Sequence, residues 1–124
     1  MQEVILGDDP LKLEDIEKVA LKKAKVKLSE NKKDELRRSR NTLERISESK
    51  RIYGVNTGVG AFKDIQIEDF VEFQKRIVRS HSCGTGEPMS EEEVRAIMLV
   101  RANTLSKGFS GVRPEVVEKL VEFI

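Results

Sequence analysis

The 124-residue sequence predicts a mainly α-helical fold with one short N-terminal β-strand or hairpin. Two observations carry this. Apolar residues return at three- and four-residue spacing in five segments, and only Val4-Ile5-Leu6 reads as a β-prone run. Glycine and proline fall between these segments or at their edges, where they punctuate the chain.

The strand at Val4-Leu6 should stop in a turn through Gly7-Asp8-Asp9-Pro10. Leu13, Ile16, Val19 and Ala20 then mark one face of a helix from Leu13 to about Ala24. Val26-Lys27-Leu28 breaks that pattern, and Ser29 is placed to cap a second helix running from about Glu30 to Glu48. Its apolar stripe is thin (Leu36, Leu43, Ile46), so Lys32, Lys33, Arg37, Arg38 and Arg40 read as a solvated face balanced by Glu30, Asp34, Glu35 and Glu44.

A third helix is expected from about Gln66 to Ser80, burying Ile67, Phe70, Val71, Ile77 and Val78, with Gln74 interrupting the stripe. Ser90 and Glu93 form a capping box for a fourth helix ending near Ser106, with Val94, Ile97, Met98, Ala102 and Leu105 on one side. Pro114 suits the first turn of a fifth, whose Val117, Leu120, Val121 and Ile124 repeat to the last residue. Because that stripe has no terminating signal, the chain is expected to be the front part of something longer, organised as one domain over residues 1–124.

Composition narrows the function. Lys and Arg number 23 against 22 for Asp and Glu, a net charge of +1 that gives no bulk-charge basis for nucleic-acid binding. No apolar run approaches the roughly 18 residues of a membrane span. Cys83 is the only cysteine, so a disulfide scaffold is excluded. No signal peptide is evident after Met1, and a cytosolic (cytoplasmic) protein is the default expectation.

Two loops remain that look like neither core nor ordinary surface. In Tyr53-Gly54-Val55-Asn56-Thr57-Gly58-Val59-Gly60, three glycines within seven residues cannot sustain a helix but permit close backbone approach. The second, Ser80-His81-Ser82-Cys83-Gly84-Thr85-Gly86-Glu87-Pro88, carries the only histidine. Neither glycine cluster has the G-x-G-x-x-G spacing of a dinucleotide loop. His81 and Cys83 fall short of a metal ligand set, and Cys83 is expected to be a small buried side chain. Residue chemistry therefore singles out Tyr53 and His81, each the only one of its type, without assigning either a task.

The Tyr53–Gly60 stretch resembles the signature loop of the aromatic amino acid ammonia-lyases. Arg79–Pro88 resembles a second motif of that family, and Arg101-Ala102-Asn103-Thr104-Leu105-Ser106-Lys107-Gly108-Phe109-Ser110-Gly111-Val112-Arg113 a third. Three ordered motifs are far more specific than one. Ser80-His81 and Glu87-Pro88 favour the histidine-specific branch, with tyrosine lyases and aminomutases as the runner-up.

The resemblance implies the N-terminal helical portion of an ammonia-lyase fold, in a homotetrameric enzyme that converts the small-molecule substrate L-histidine to urocanate and ammonia. The charge balance and the lack of a long apolar run already point to no nucleic-acid or membrane partner. Tyr53 matches the catalytic tyrosine, and His81 the residue that contacts the substrate imidazole. Gly54, Asn56, Thr57, Gly58 and Gly60 match the active-site loop. The implied cofactor is a methylidene-imidazolone made from an internal Ala-Ser-Gly, a tripeptide absent from these residues, since Phe109-Ser110-Gly111 belongs to the third motif. The 124 residues alone are therefore expected to be inactive, and self-association through uncovered apolar faces is open to them. Val59 stands where the family usually has Phe. A non-catalytic helical interaction module that kept the signature is the reading from another class.

Overall fold

The computed structural model describes residues 3–7 and 9–124; Met1, Gln2 and Asp8, the last inside the expected turn, lie outside the described residues. The order is β1 (Glu3–Leu6), α1 (Leu13–Ala20), β2 (Lys25–Leu28), α2 (Glu30–Ser47), α3 (Phe70–His81), α4 (Glu91–Ser106) and α5 (Pro114–Phe123), with a 3-10 turn at Gly60–Phe62. The mainly α expectation holds. Among the described residues no helix is long and apolar enough to cross a membrane.

The chain forms two compact units, one of Met1–Leu43 with Pro88–Ile124 and the other of Glu44–Glu87. In the first, β1 pairs with β2 in parallel, Val4 opposite Val26 and Leu6 opposite Leu28. The hairpin alternative is thereby corrected: parallel neighbours need a crossover, and α1 provides it. Val4 and Leu6 point inward while Ile5 is exposed, the two-residue alternation of a strand with one covered face. α4 packs against both α1 and α5. The core between them gathers Val19, Leu28, Leu36, Leu99, Ala102, Leu105 and Val117 with the two β1 residues.

Three helix expectations need correction. α1 ends at Ala20 rather than near Ala24, because Lys23 turns left-handed (φ 51) and the Ala24 N–H reaches back to the Lys18 carbonyl. α3 begins at Phe70, where Asp69 caps it by accepting from the Glu72 N–H at 3.0 Å. Its expected buried face is largely uncovered: Phe70, Val71 and Val78 are exposed, and no residue of α3 is fully buried. On α4 the buried line runs through Leu99, Ala102, Leu105 and Ser106, whereas Val94 and Ile97 are exposed. That helix is apolar on more than one side, so residue spacing could not select its inner face.

Local chemistry fixes the other boundaries. Ser29 Oγ accepts from the Lys32 N–H (3.4 Å) at the start of α2. On the basic face of α2, Lys32 pairs with Glu35, Lys33 with Glu30 and Arg37 with Asp34 at 2.5–2.9 Å. In α4 the Ser90 hydroxyl accepts from the Glu93 N–H (3.3 Å), and the Glu93 carboxylate accepts from the Ser90 N–H (2.9 Å). That N–H first, and the Ser90 hydroxyl second, hold the Glu93 carboxyl below its ordinary value of 4.5. A depressed carboxylate stabilises the fold above its ordinary range, and the contribution is lost as pH falls through the lowered value. Glu93→Ala is thus expected to lower the unfolding midpoint at neutral pH, with the difference from the parent shrinking on acidification below about 4.5. Denaturant titrations at neutral and acid pH read this directly, and a pH-independent difference would contradict it.

Candidate active site

Both singled-out residues lie in the unit Glu44–Glu87. After α2 ends at Ser47, the chain tightens around Tyr53 and Gly54: the Ile52 carbonyl accepts from the N–H groups of Val55 (3.0 Å) and Asn56 (3.3 Å). It then doubles back in a short antiparallel contact. Thr57 bridges Gln66, the Gly58 N–H donates to the Ile65 carbonyl (3.0 Å), and the Ile67 N–H donates to the Asn56 carbonyl (3.3 Å). This pairing corrects the expected start of the third helix, because the backbone around Gln66 and Ile67 is already committed to the loop.

The loop is closed by its own side chains. Thr57 is buried; its hydroxyl accepts from the Gly54 N–H (3.3 Å) and donates to the Gly58 carbonyl (3.0 Å). Asn56 directs its carboxamide back towards α2, donating to the Ser47 (2.9 Å) and Lys50 (2.8 Å) carbonyls and accepting from the Ile52 N–H (2.7 Å). The Gly60 N–H donates to the Tyr53 hydroxyl oxygen at 3.0 Å. Tyr53 is 64% exposed. Its O–H proton has no acceptor among the described residues.

His81 is the last residue of α3. Its Nδ1 lies 2.9 Å from the Ile77 carbonyl oxygen and 3.0 Å from Ser80 Oγ. A carbonyl only accepts, so the contact with Ile77 assigns a proton to Nδ1. In the neutral ring Nε2 then carries the lone pair, and it has no partner among the described residues. Cys83, expected to be buried, is exposed on the following loop. No group of three or more metal-ligating side chains exists among the described residues.

Tyr53 and His81 share a unit but make no hydrogen bond to each other. The link between their elements is Gln74, whose Nε2 donates to the Gly54 carbonyl at 3.0 Å. His81 follows seven residues later, about 10 Å further along the α3 axis at 1.5 Å per residue. Residue patterns had shown Gln74 only as a break in an apolar stripe. A polar residue that interrupts such a stripe, as here, is the available signal for a loop anchor. A groove of about 630 Å³, lined by Val116, Leu120 and Phe123 among others, lies on α5 and contains none of the singled-out residues.

The chain as a whole is similar to known proteins. Histidine ammonia-lyase of Caldanaerobacter subterraneus subsp. tengcongensis is 49% identical over all of this chain, which covers 25% of that protein. The structure of tyrosine aminomutase from Streptomyces globisporus superposes with a TM-score of 0.90 at 38% identity, over 98% of this chain and 24% of its own. Ergothionase from Treponema denticola, in complex with desmethyl-ergothioneine sulfonic acid, reaches 0.92 at 32% identity, over 98% and 25%. The chain thus spans about a quarter of the length of the relatives it matches. The model of the family described as aromatic amino acid lyase matches residues 11–124, including both loops and the Arg101–Arg113 run, and the chain belongs to that family.

Proposed function

We propose that this chain supplies the N-terminal part of an enzyme that eliminates ammonia from L-histidine to give urocanate. The observation that carries the reading is the presence in one unit of an accessible phenol with an unspent proton and an imidazole with an unspent lone pair. The level of identity to a histidine ammonia-lyase supports the same substrate.

The two residues divide the work. His81 Nε2 accepts a hydrogen bond from the substrate imidazole and so selects a side chain that carries an N–H. Tyr53 takes the β-proton: its exposed hydroxyl first gives its own proton to solvent, the resulting phenolate is a stronger base than a carboxylate, and the Gly60 N–H holds the oxygen in place for the transfer. When bound, the family's methylidene-imidazolone supplies the electrophile that makes the amino group a competent leaving group. No Ala-Ser-Gly occurs in the 124 residues, so this chain's share is proton transfer and substrate placement. Both side chains are exposed, as they must be if substrate and electrophile are to be seated over them.

The likeness to a tyrosine aminomutase favours a second reading, a tyrosine-specific lyase or aminomutase. Supplying the complete protein with each amino acid separates the two. Urocanate is expected from histidine, while product from tyrosine alone would overturn the histidine assignment. The 124 residues by themselves are expected to give no product. His81→Leu should raise KM for histidine about 10-fold, the value of one net hydrogen bond of roughly 1.4 kcal/mol. An unchanged substrate profile would remove His81 from the site.

A further inference from the structure

We propose that Asn56 is a positioning residue, whose carboxamide clamps the turn bearing Tyr53 onto the end of α2 and thereby sets where the phenol oxygen sits. The proposal rests on the reading of Tyr53 as the proton-transfer group.

The geometry is a closed ring. Asn56 Oδ1 accepts from the Ile52 N–H at 2.7 Å, while the Asn56 N–H donates to the Ile52 carbonyl at 3.3 Å. The same two residues are thus joined in both directions, and Tyr53, Gly54 and Val55 lie between them. The remaining valence of the amide goes outward, where Nδ2 donates to Ser47 and Lys50 at 2.9 and 2.8 Å. Ser47 is the last residue of α2, where carbonyls lack intrahelical donors. A single side chain therefore satisfies a helix end and fixes the backbone on one side of the tyrosine.

Tyr53 then has little freedom beyond its own side-chain torsions, and the Gly60 N–H meets its oxygen at the far side of the loop. Asparagine suits the position because it presents donors and an acceptor on one planar group. Aspartate would keep the acceptor for Ile52 and turn a carboxylate oxygen towards two carbonyls at a helix C-terminus, where negative charge is unfavourable. Alanine would forfeit all three bonds.

The test is a double-mutant cycle in the complete lyase. Asn56→Ala and Asn56→Asp are each expected to lower kcat by about 100-fold, the effect of roughly 1 Å of misplacement at a reacting group, with KM for histidine essentially unchanged. In a Tyr53→Phe background, Asn56→Ala should bring no further loss, because the group it positions is gone. In the complete lyase, amide exchange at Ile52 and Gly60 should accelerate in Asn56→Ala while the amides of α4 keep their protection.

Wild-type kcat in Asn56→Ala, or losses that add in the double variant, would overturn the proposal. Exchange rising equally in α4 would reduce Asn56 to a general stability role and overturn it as well. If Asn56→Ala fails to fold, Asn56→Ser, which keeps one hydroxyl donor for α2, carries the same cycle with the same criteria. Full activity of Tyr53→Phe alone marks a different failure, that of the Tyr53 reading, and the positioning role falls with it.

Discussion

Tyr53→Phe in the complete lyase is expected to cut kcat by about 10²- to 10⁴-fold, the range a positioned acid–base group supplies, with little loss of stability. The ring of Tyr53 is mostly exposed and its hydroxyl makes one hydrogen bond, to the Gly60 N–H. Removing that oxygen forfeits a net contribution of about 1 kcal/mol at most, and solvent can replace it at an exposed amide. Catalysis and folding therefore separate at this position. A core truncation such as Leu99→Ala, at a fully buried site, should by contrast cost about 2–5 kcal/mol and damage everything downstream of folding. Initial rates with histidine, read beside the thermal midpoint, check the separation. A Tyr53→Phe enzyme within a few-fold of the parent would remove the phenol from the chemistry.

The parts of the fold legible in the amino acids are those decided by local chemistry. Ser90 with Glu93 fixed the start of α4 and Ser29 that of α2, because a cap is a contact between residues three apart, and Pro114 the start of α5, because its ring holds the backbone angle of a first helical turn. What needed the folded chain is what depends on distant partners. Gln66 and Ile67 fit a helical stripe, yet their backbone pairs with Thr57 and Asn56 across a loop. β2 is Lys-Val-Lys-Leu, whose lysines dilute the apolar run, so it does not read as a strand until β1 lies beside it. The apolar spacing of α3 was legible, but spacing cannot say whether a face is covered, and here Val71 and Val78 are not.

The site divides in the same way. Tyr53 and His81 stood out as unique ionisable residues on glycine-bearing loops, and resemblance gave them tasks. The tautomer of His81 required the Ile77 carbonyl, and the wiring of Asn56 and Gln74 required coordinates. A side chain that bonds to backbone leaves no pattern in residue types, since every residue offers the same N–H and C=O.

Gly58→Ala is expected to be the most damaging substitution among the loop glycines, costing about 1–3 kcal/mol and most of the turnover of the complete enzyme. A Cβ at position 58 would lie 2.3 Å from the Phe62 carbonyl oxygen and 2.9 Å from its carbon, and backbone cannot swing aside as a side chain can. Relief would mean moving either the 3-10 turn at Gly60–Phe62 or the contact between Gly58 and Ile65. Both routes displace the Gly60 N–H from the Tyr53 oxygen, so the steric insult reaches the chemistry through two residues of backbone. Gly60→Ala supplies the contrast. A Cβ there meets nothing within 4 Å, and the cost is confined to holding alanine at φ +58, about 1–2 kcal/mol. If crowding rather than backbone conformation governs this loop, denaturant unfolding and initial rates must rank Gly58→Ala below Gly60→Ala on both axes. The reverse order would mean that the left-handed turn at Gly60, and not the close approach at Gly58, holds the phenol in place.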